Sequence, residues 1–260
     1  MRGRRRPIDD LRGALVLVTG AAGGIGRHTC AALTEAGARV VAADLDPAQL
    51  DDVESQMTVS LDVTDDASVV AVVSQVGPLA GLVLSHGVTA LGPALETPMS
   101  AVDRVLSVNL RGAIVVTQAA LPGLVHSRGR IAVLSSVSGF APLVHRTAYS
   151  ASKHGLHGYF ESLRAEHDGD GLSVTIVAPS FVATGIDQRA TFRADGSGGE
   201  WSTTGEVLGP EQVAASIVDG MARRRPLVLP SRTSRLAYGL SRVAPAAYAR
   251  TMRRRVLGEP

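Results

Sequence analysis

The sequence predicts an α/β fold: a single doubly wound domain on a seven-stranded parallel sheet with helices on both faces. Three observations carry that expectation. Seven short apolar runs alternate with helical patterns along the chain. The runs are continuously hydrophobic and lack the in-out alternation of a sheet with one wet face, so the sheet should be buried on both sides. The length of 260 residues and a hydrophobic content of 45% suit one large α/β unit. The architecture implied is a Rossmann-like three-layer sandwich.

The strands are expected at residues 14–19, 38–43, 57–61, 81–84, 130–135, 173–178 and 227–229. Helical patterns fill the intervals at 24–36, 47–54, 65–76, 100–121, 149–167 and 210–223, with turn clusters such as Asp168-Gly169-Asp170-Gly171 between elements. Residues 184–209 are rich in Gly, Ser and Thr around Trp201 and have no clear period; a loop that long is usually functional, and it reads as a substrate lid. No internal repeat and no second-domain boundary is visible. The expected organisation is a basic arm at 1–12, one large α/β domain at 13–230 that includes the 184–209 segment, and an amphipathic helical tail at 231–260.

Formal net charge is only +2, so the body has no nucleic-acid-binding signature, although arginines cluster at 2, 4, 5 and 6 and at 250, 253, 254 and 255. The single cysteine, Cys30, excludes an intrachain disulfide and falls in an apolar helical pattern, which suits a reducing, cytoplasmic setting. The arginine-rich start runs into Pro7-Ile8-Asp9-Asp10 instead of an apolar stretch, and no run reaches the ~18 apolar residues of a membrane span. A soluble protein is expected.

After the first strand comes Thr19-Gly20-Ala21-Ala22-Gly23-Gly24-Ile25-Gly26, running straight into a helix. Glycines let the backbone turn tightly and approach a pyrophosphate, whose charge meets amides at the positive end of the helix. Gly20, Ala22, Gly24, Ile25 and Gly26 are therefore candidate cofactor contacts. Asp44 stands eighteen residues past Gly26 at the end of the second strand, where a carboxylate would accept hydrogen bonds from the adenosine ribose and repel a 2′-phosphate. Leu45 follows it instead of a basic residue, so NAD is favoured over NADP. Arg27 and Arg39 are the arginines near enough in sequence to argue the other way.

Of 26 basic side chains only one is a lysine: Lys153, four residues after Tyr149. Residues i and i+4 share a helix face, so the ammonium can sit beside the phenol. A cation there would favour phenolate and lower a pKa that starts near ~10, as a proton-exchanging tyrosine requires. A guanidinium is a rigid fork and does not substitute for that compact charge.

With Thr-Gly-x-x-x-Gly-x-Gly and Tyr-x-x-x-Lys both in place, the chain resembles the short-chain dehydrogenase/reductase family over about residues 10 to 230. Ser136, thirteen residues before Tyr149, matches the family's serine, and Asn109 in Ser107-Val108-Asn109-Leu110 matches its helix asparagine. Asp62 and Val63 resemble the pair that contacts adenine; Pro179, Val182 and Thr184 match the segment around the nicotinamide. Where the family has Asn-Ala-Gly this chain has Ser85-His86-Gly87, of which Ser85 and Gly87 are candidate cofactor contacts, and where it has Pro-Gly this chain has Pro179-Ser180.

The resemblance implies interconversion of a secondary alcohol and a ketone with NAD(H). Tyr149 would be the acid/base and Ser136 would bond the substrate oxygen. Lys153 would depress the tyrosine pKa and hold the nicotinamide ribose, and Asn109 would position a water linking Lys153 to solvent. It also implies a homo-oligomer, a tetramer or dimer. A non-catalytic NAD sensor on the same fold is the rival from another class. A longer-family epimerase would need a C-terminal substrate domain that a tail of about 30 residues does not supply, and Ser136 lacks the flanking glycines of a hydrolase elbow.

His154 and His157 lie at i, i+3, yet no third ligand has metal-site spacing, so no metal is expected. His145 is expected to line the substrate pocket with Phe140, Leu143, Val144, Phe181, Phe192 and Trp201, which together suggest a hydrophobic substrate. The tail carries Leu236, Leu240 and Val243 at helical spacing and is interrupted at Pro245; packing on the substrate side or at a subunit contact is favoured over docking to an anionic membrane surface.

Overall fold

The computed structural model describes residues 10–194 and 206–257; the remainder of the basic arm, Trp201 and the last three residues lie outside them. In chain order the elements are β1 (Leu15–Thr19), α1 (Gly24–Glu35), β2 (Arg39–Asp44), β3 (Met57–Ser60), α2 (Asp66–Val76), β4 (Gly81–Leu84), β5 (Ala90–Leu91), α3 (Met99–Leu106), α4 (Ala113–His126), β6 (Arg130–Leu134), α5 (Thr147–Glu166), β7 (Ser173–Val177), β8 (Phe181–Val182), β9 (Phe192–Arg193), β10 (Val207–Leu208), α6 (Pro210–Ala222), β11 (Leu227–Val228), α7 (Arg232–Val243) and α8 (Pro245–Leu257).

Seven strands form one parallel sheet in the order β11-β7-β6-β4-β1-β2-β3. The continuous apolar runs are buried as that geometry demands: Val16, Leu17 and Val18 of β1 and Leu82 and Val83 of β4 are fully enclosed. One core lies between the sheet and α2, α4 and α5, with Leu82, Val116, Leu124, Leu156 and Phe160 at its centre. The other lies under α1 and α6, around Val18, Cys30, Leu33, Val213 and Met221. Burial pushes the Cys30 thiol up to about 12, so it stays an inert apolar group.

The strand order reverses between β1 and β4, and at such a switch point the loops leaving the carboxyl ends part to leave a crevice. Register fixes what lines it. Thr19 is level with Ala43 of β2 and Leu84 of β4, so Gly20, Asp44 and Ser85 emerge side by side at one edge of the sheet.

Several expectations at the element level are corrected. Residues 47–54 form only a 3-10 turn, Pro47–Leu50, because the Asp46 carboxylate accepts from the Ala48 amide and the apolar content is too low to carry the helix on. The helix expected to stop before Pro122 runs to His126, with Pro122 inside it, and contains a π-turn at Ser107–Gly112. The stretch Met99–His126 is long and apolar enough to cross a membrane by length and hydropathy, but it packs with α2 and α5 as a core helix. The lid segment contains β9, which pairs with β5, and β10, which pairs with β8. The end of the basic arm is tied to the domain: Leu11 is buried, and Asp10 pairs with the buried Arg130.

Candidate active site

The glycine turn is held by sterics and by Asp44. Gly20 has φ +69°, and a Cβ there would lie 2.6 Å from the His86 backbone, so only glycine fits. A Cβ on Gly26 would overlap the Gly20 carbonyl oxygen; without one, α1 starts directly against the turn. A Cβ on Gly24 would lie 3.5 Å from Thr184, so the turn and the 179–184 segment lie next to one another. Asp44 accepts from the Ala22 amide at 2.9 Å and from the Leu45 amide at 2.8 Å, so its first role is to clamp the turn. Together these backbone approaches and the N-terminus of α1 fit a dinucleotide.

The Asp62 carboxylate accepts from the Thr64 amide and hydroxyl, which holds it below the usual carboxylate range, and Val63 packs against Gly112 of the π-turn. Ser85 donates to the Thr19 carbonyl at 2.7 Å, a bond across the sheet of the kind expected of it. His86 does more than add bulk. Its Nδ1 lies 2.6 Å from the Thr19 hydroxyl, and Nε2 is buried without a hydrogen-bond partner among the described residues. Burial, reinforced by the Lys153 charge, pushes the imidazole down to about 3, so it is neutral at ordinary pH.

Asn109 sits in the π-turn, a local widening of the helix that often marks functional sites. Its side chain is engaged structurally: Oδ1 accepts from the Val88 amide, and Nδ2 donates to the Val88 carbonyl and the Ser152 hydroxyl. It therefore fastens α5 to the loop after β4. Gly155 permits this approach, since a Cβ there would meet Leu110 at 2.6 Å. Gly87 lies beneath the same cluster, with Asn109 Oδ1 and Lys153 Nζ within 3.3 and 3.8 Å of where its Cβ would stand.

Ser136 follows β6 and caps a short 3-10 turn by accepting from the Ser138 amide at 3.2 Å. Tyr149 and Lys153 lie one turn apart on α5, and Ser136, Tyr149 and Pro179 line the same cavity. Burial raises the Tyr149 phenol above its ordinary value; Arg146, then the Ser136 hydroxyl, pull it down, and Asp187 pushes it up. The Lys153 Nζ is 5.5 Å from the Tyr149 ring centroid and donates at 2.7 Å to the Leu134 carbonyl, and burial without an anionic partner lowers it to about 8. The Arg146 side chain carries a two-pronged ion pair to Asp187, with distances of 2.9 and 2.5 Å.

The cavity has a volume of about 820 Å³. Of the expected pocket residues, Leu143 and Phe181 line it. Phe140 packs edge-on against His157 and Tyr238 beneath it, and Phe192 belongs to a separate cluster with Ala90 and Val105; neither, nor Val144, is a lining residue. His145 is likewise not in the wall: it adopts φ +63° and its carbonyl accepts from Gly92. His157 bonds Ser135 and pairs with Glu161, while His154 bonds the Ser150 carbonyl. Sequence reading missed Arg146, Asp187 and Ile186. Of the two placements expected for the tail, the substrate side is the one seen: Leu236, Ala237 and Leu240 of α7 and Tyr248, Met252 and Arg255 of α8 form one wall. Ser180 anchors that tail by bonding Ser231 at 2.9 Å.

Comparison with known proteins agrees with this geometry. Residues 14–194 match the family model described as short chain dehydrogenase. The chain is 32% identical over 275 residues to a dehydrogenase/reductase SDR family protein 7-like of Anopheles gambiae, covering 98% of this chain and 87% of that one. It is 33% identical to the probable oxidoreductase EphD of Mycobacterium tuberculosis, of which it spans 47% of the length. A short chain dehydrogenase from Burkholderia cenocepacia solved with NADP superposes with a TM-score of 0.83 at 21% identity, covering 93% of this chain and 98% of that one. A relative from Burkholderia phymatum solved with NAD gives 0.78 at 23%, covering 89% and 94%. Nothing in these likenesses supports the non-catalytic sensor. The chain belongs to the short-chain dehydrogenase family of oxidoreductases.

Proposed function

We propose that the protein interconverts a hydrophobic secondary alcohol and its ketone with NAD(H). The observation that carries this reading is the convergence of Ser136 and Tyr149 on one cavity, with buried Lys153 one turn further along the same helix. A bound nicotinamide supplies the hydride acceptor or donor. Tyr149 Oη holds the proton that the substrate oxygen gives up or takes. The Ser136 hydroxyl donates to that oxygen and steadies the charge that develops on it. The apolar wall of Leu143, Phe181, Leu236 and Met252 excludes water and favours an apolar substrate body.

The preference for NAD over NADP rests on Asp44 and on the engagement of the two arginines that could oppose it. Arg27 pairs with Asp52 and donates to the Gln49 carbonyl; Arg39 donates to the Gln56 side chain. Neither is left to face a 2′-phosphate. The test is a panel of cyclic, steroidal and fatty secondary alcohols and ketones with NAD and NADP, followed by the absorbance of the reduced nicotinamide. Turnover of apolar members with NAD is expected; tight NAD binding with no turnover of any member would sink the reading.

A further inference from the structure

The last helix turns one face to the cavity. Tyr248, Thr251, Met252 and Arg255 line it at i, i+3, i+4 and i+7, a single helical stripe. Arg250, Arg253 and Arg254 fall off that stripe and are not lining residues. A cation in the last turn of a helix is favoured by the helix dipole, but Arg254 meets that need equally, so the dipole does not explain an arginine on the cavity side.

The charged groups in the wall are Arg146, Asp187 and Arg255. The first two neutralise one another through their two-pronged pair. No carboxylate pairs with Arg255 among the described residues, and its field falls on the Tyr248 phenol, which it lowers against the raising effect of burial. The cavity therefore has an apolar body, a Ser136–Tyr149 reaction centre and an unbalanced positive charge supplied by the tail.

Resting on the alcohol–ketone reading above, we propose that the substrate is amphipathic: an apolar body ending in a carboxylate, which the Arg255 guanidinium receives while the reacting oxygen lies at Tyr149. A planar guanidinium fork matches a carboxylate in two parallel hydrogen bonds.

The experiment compares a long-chain oxo-carboxylate with its methyl ester, using wild-type protein and Arg255→Gln, with NADH present. Expected is about a tenfold preference of the wild type for the carboxylate in kcat/KM, carried by KM, weakened by salt and lost in Arg255→Gln, which handles acid and ester alike. Calorimetric titration of both compounds into the NAD-bound protein runs in parallel. Tighter carboxylate binding that depends on Arg255 but comes without turnover upholds this inference and removes the alcohol–ketone reading. Equal handling of acid and ester by the wild type, equal losses on both in Arg255→Gln, or binding of neither compound overturns it. An Arg255→Lys variant that keeps part of the preference separates the charge from a packing role.

Discussion

The Arg146–Asp187 pair joins the start of the catalytic helix to the lid segment, and its disruption should move stability and chemistry together. Both side chains are mostly buried, 11% and 22% exposed, and the contact is two-pronged. Fully exposed pairs contribute 0–1 kcal/mol, whereas breaking a buried one costs about 3–5 kcal/mol. At this intermediate burial about 2 kcal/mol of coupling is expected in a double-mutant cycle of Arg146→Gln and Asp187→Asn, read by urea unfolding. Each single variant should melt roughly 4–8 °C lower. Chemistry gives opposite signs. Losing Arg146 removes a cation that favours the Tyr149 phenolate, so the pH–rate curve for alcohol oxidation should move to higher pH; losing Asp187 removes an anion that disfavours it, so the curve should move to lower pH. Additivity within about 0.5 kcal/mol, or shifts in the same direction, would refute this account of the pair.

Three further outcomes follow from the site. Lys153→Arg should lose most turnover and bind NAD more weakly, because Lys153 is 3% exposed and a larger guanidinium cannot keep the Leu134 contact without displacing α5; near-normal steady-state kinetics would contradict this. Asp44→Ala should relax discrimination against NADP and loosen the glycine turn through the lost Ala22 bond, measured as the ratio of kcat/KM for the two cofactors; an unchanged ratio would show that Asp44 does not set the preference. His86, held near 3 against an unfolded value near ~6.5, makes the unfolded chain the better proton binder between those values. Stability should therefore fall as pH drops through that window, at up to ~1.4 kcal/mol per pH unit from this group. In His86→Ala that part of the slope should vanish from unfolding curves taken between pH 4 and 7; an identical slope would show that the ring is not buried neutral.

The sheet was legible because each strand is a self-contained apolar run and the glycine turn declares its own geometry. The reaction centre was legible for a similar reason: Tyr149 and Lys153 are one helical turn apart, and Ser136 closes a strand. What escaped depends on contacts between distant segments. Nothing near Arg146 announces Asp187, forty-one residues away, as its partner. The roles of Tyr248 and Arg255 appear only once the tail folds back over the cleft. β5, β8, β9 and β10 are two residues each, too short to leave a period-two pattern. Sequence spacing likewise gives no sign that Val88 would engage both ends of the Asn109 amide.

The central claim is that the Tyr149 phenol carries the proton in a hydride-transfer reaction. Tyr149→Phe removes one oxygen and leaves the glycine turn, Asp44 and the cavity wall intact. With a substrate found in the panel, NAD affinity by calorimetry should stay within about threefold of wild type while kcat falls by about 10³-fold, the range of a lost general acid/base. Turnover in the variant within tenfold of wild type would contradict the account.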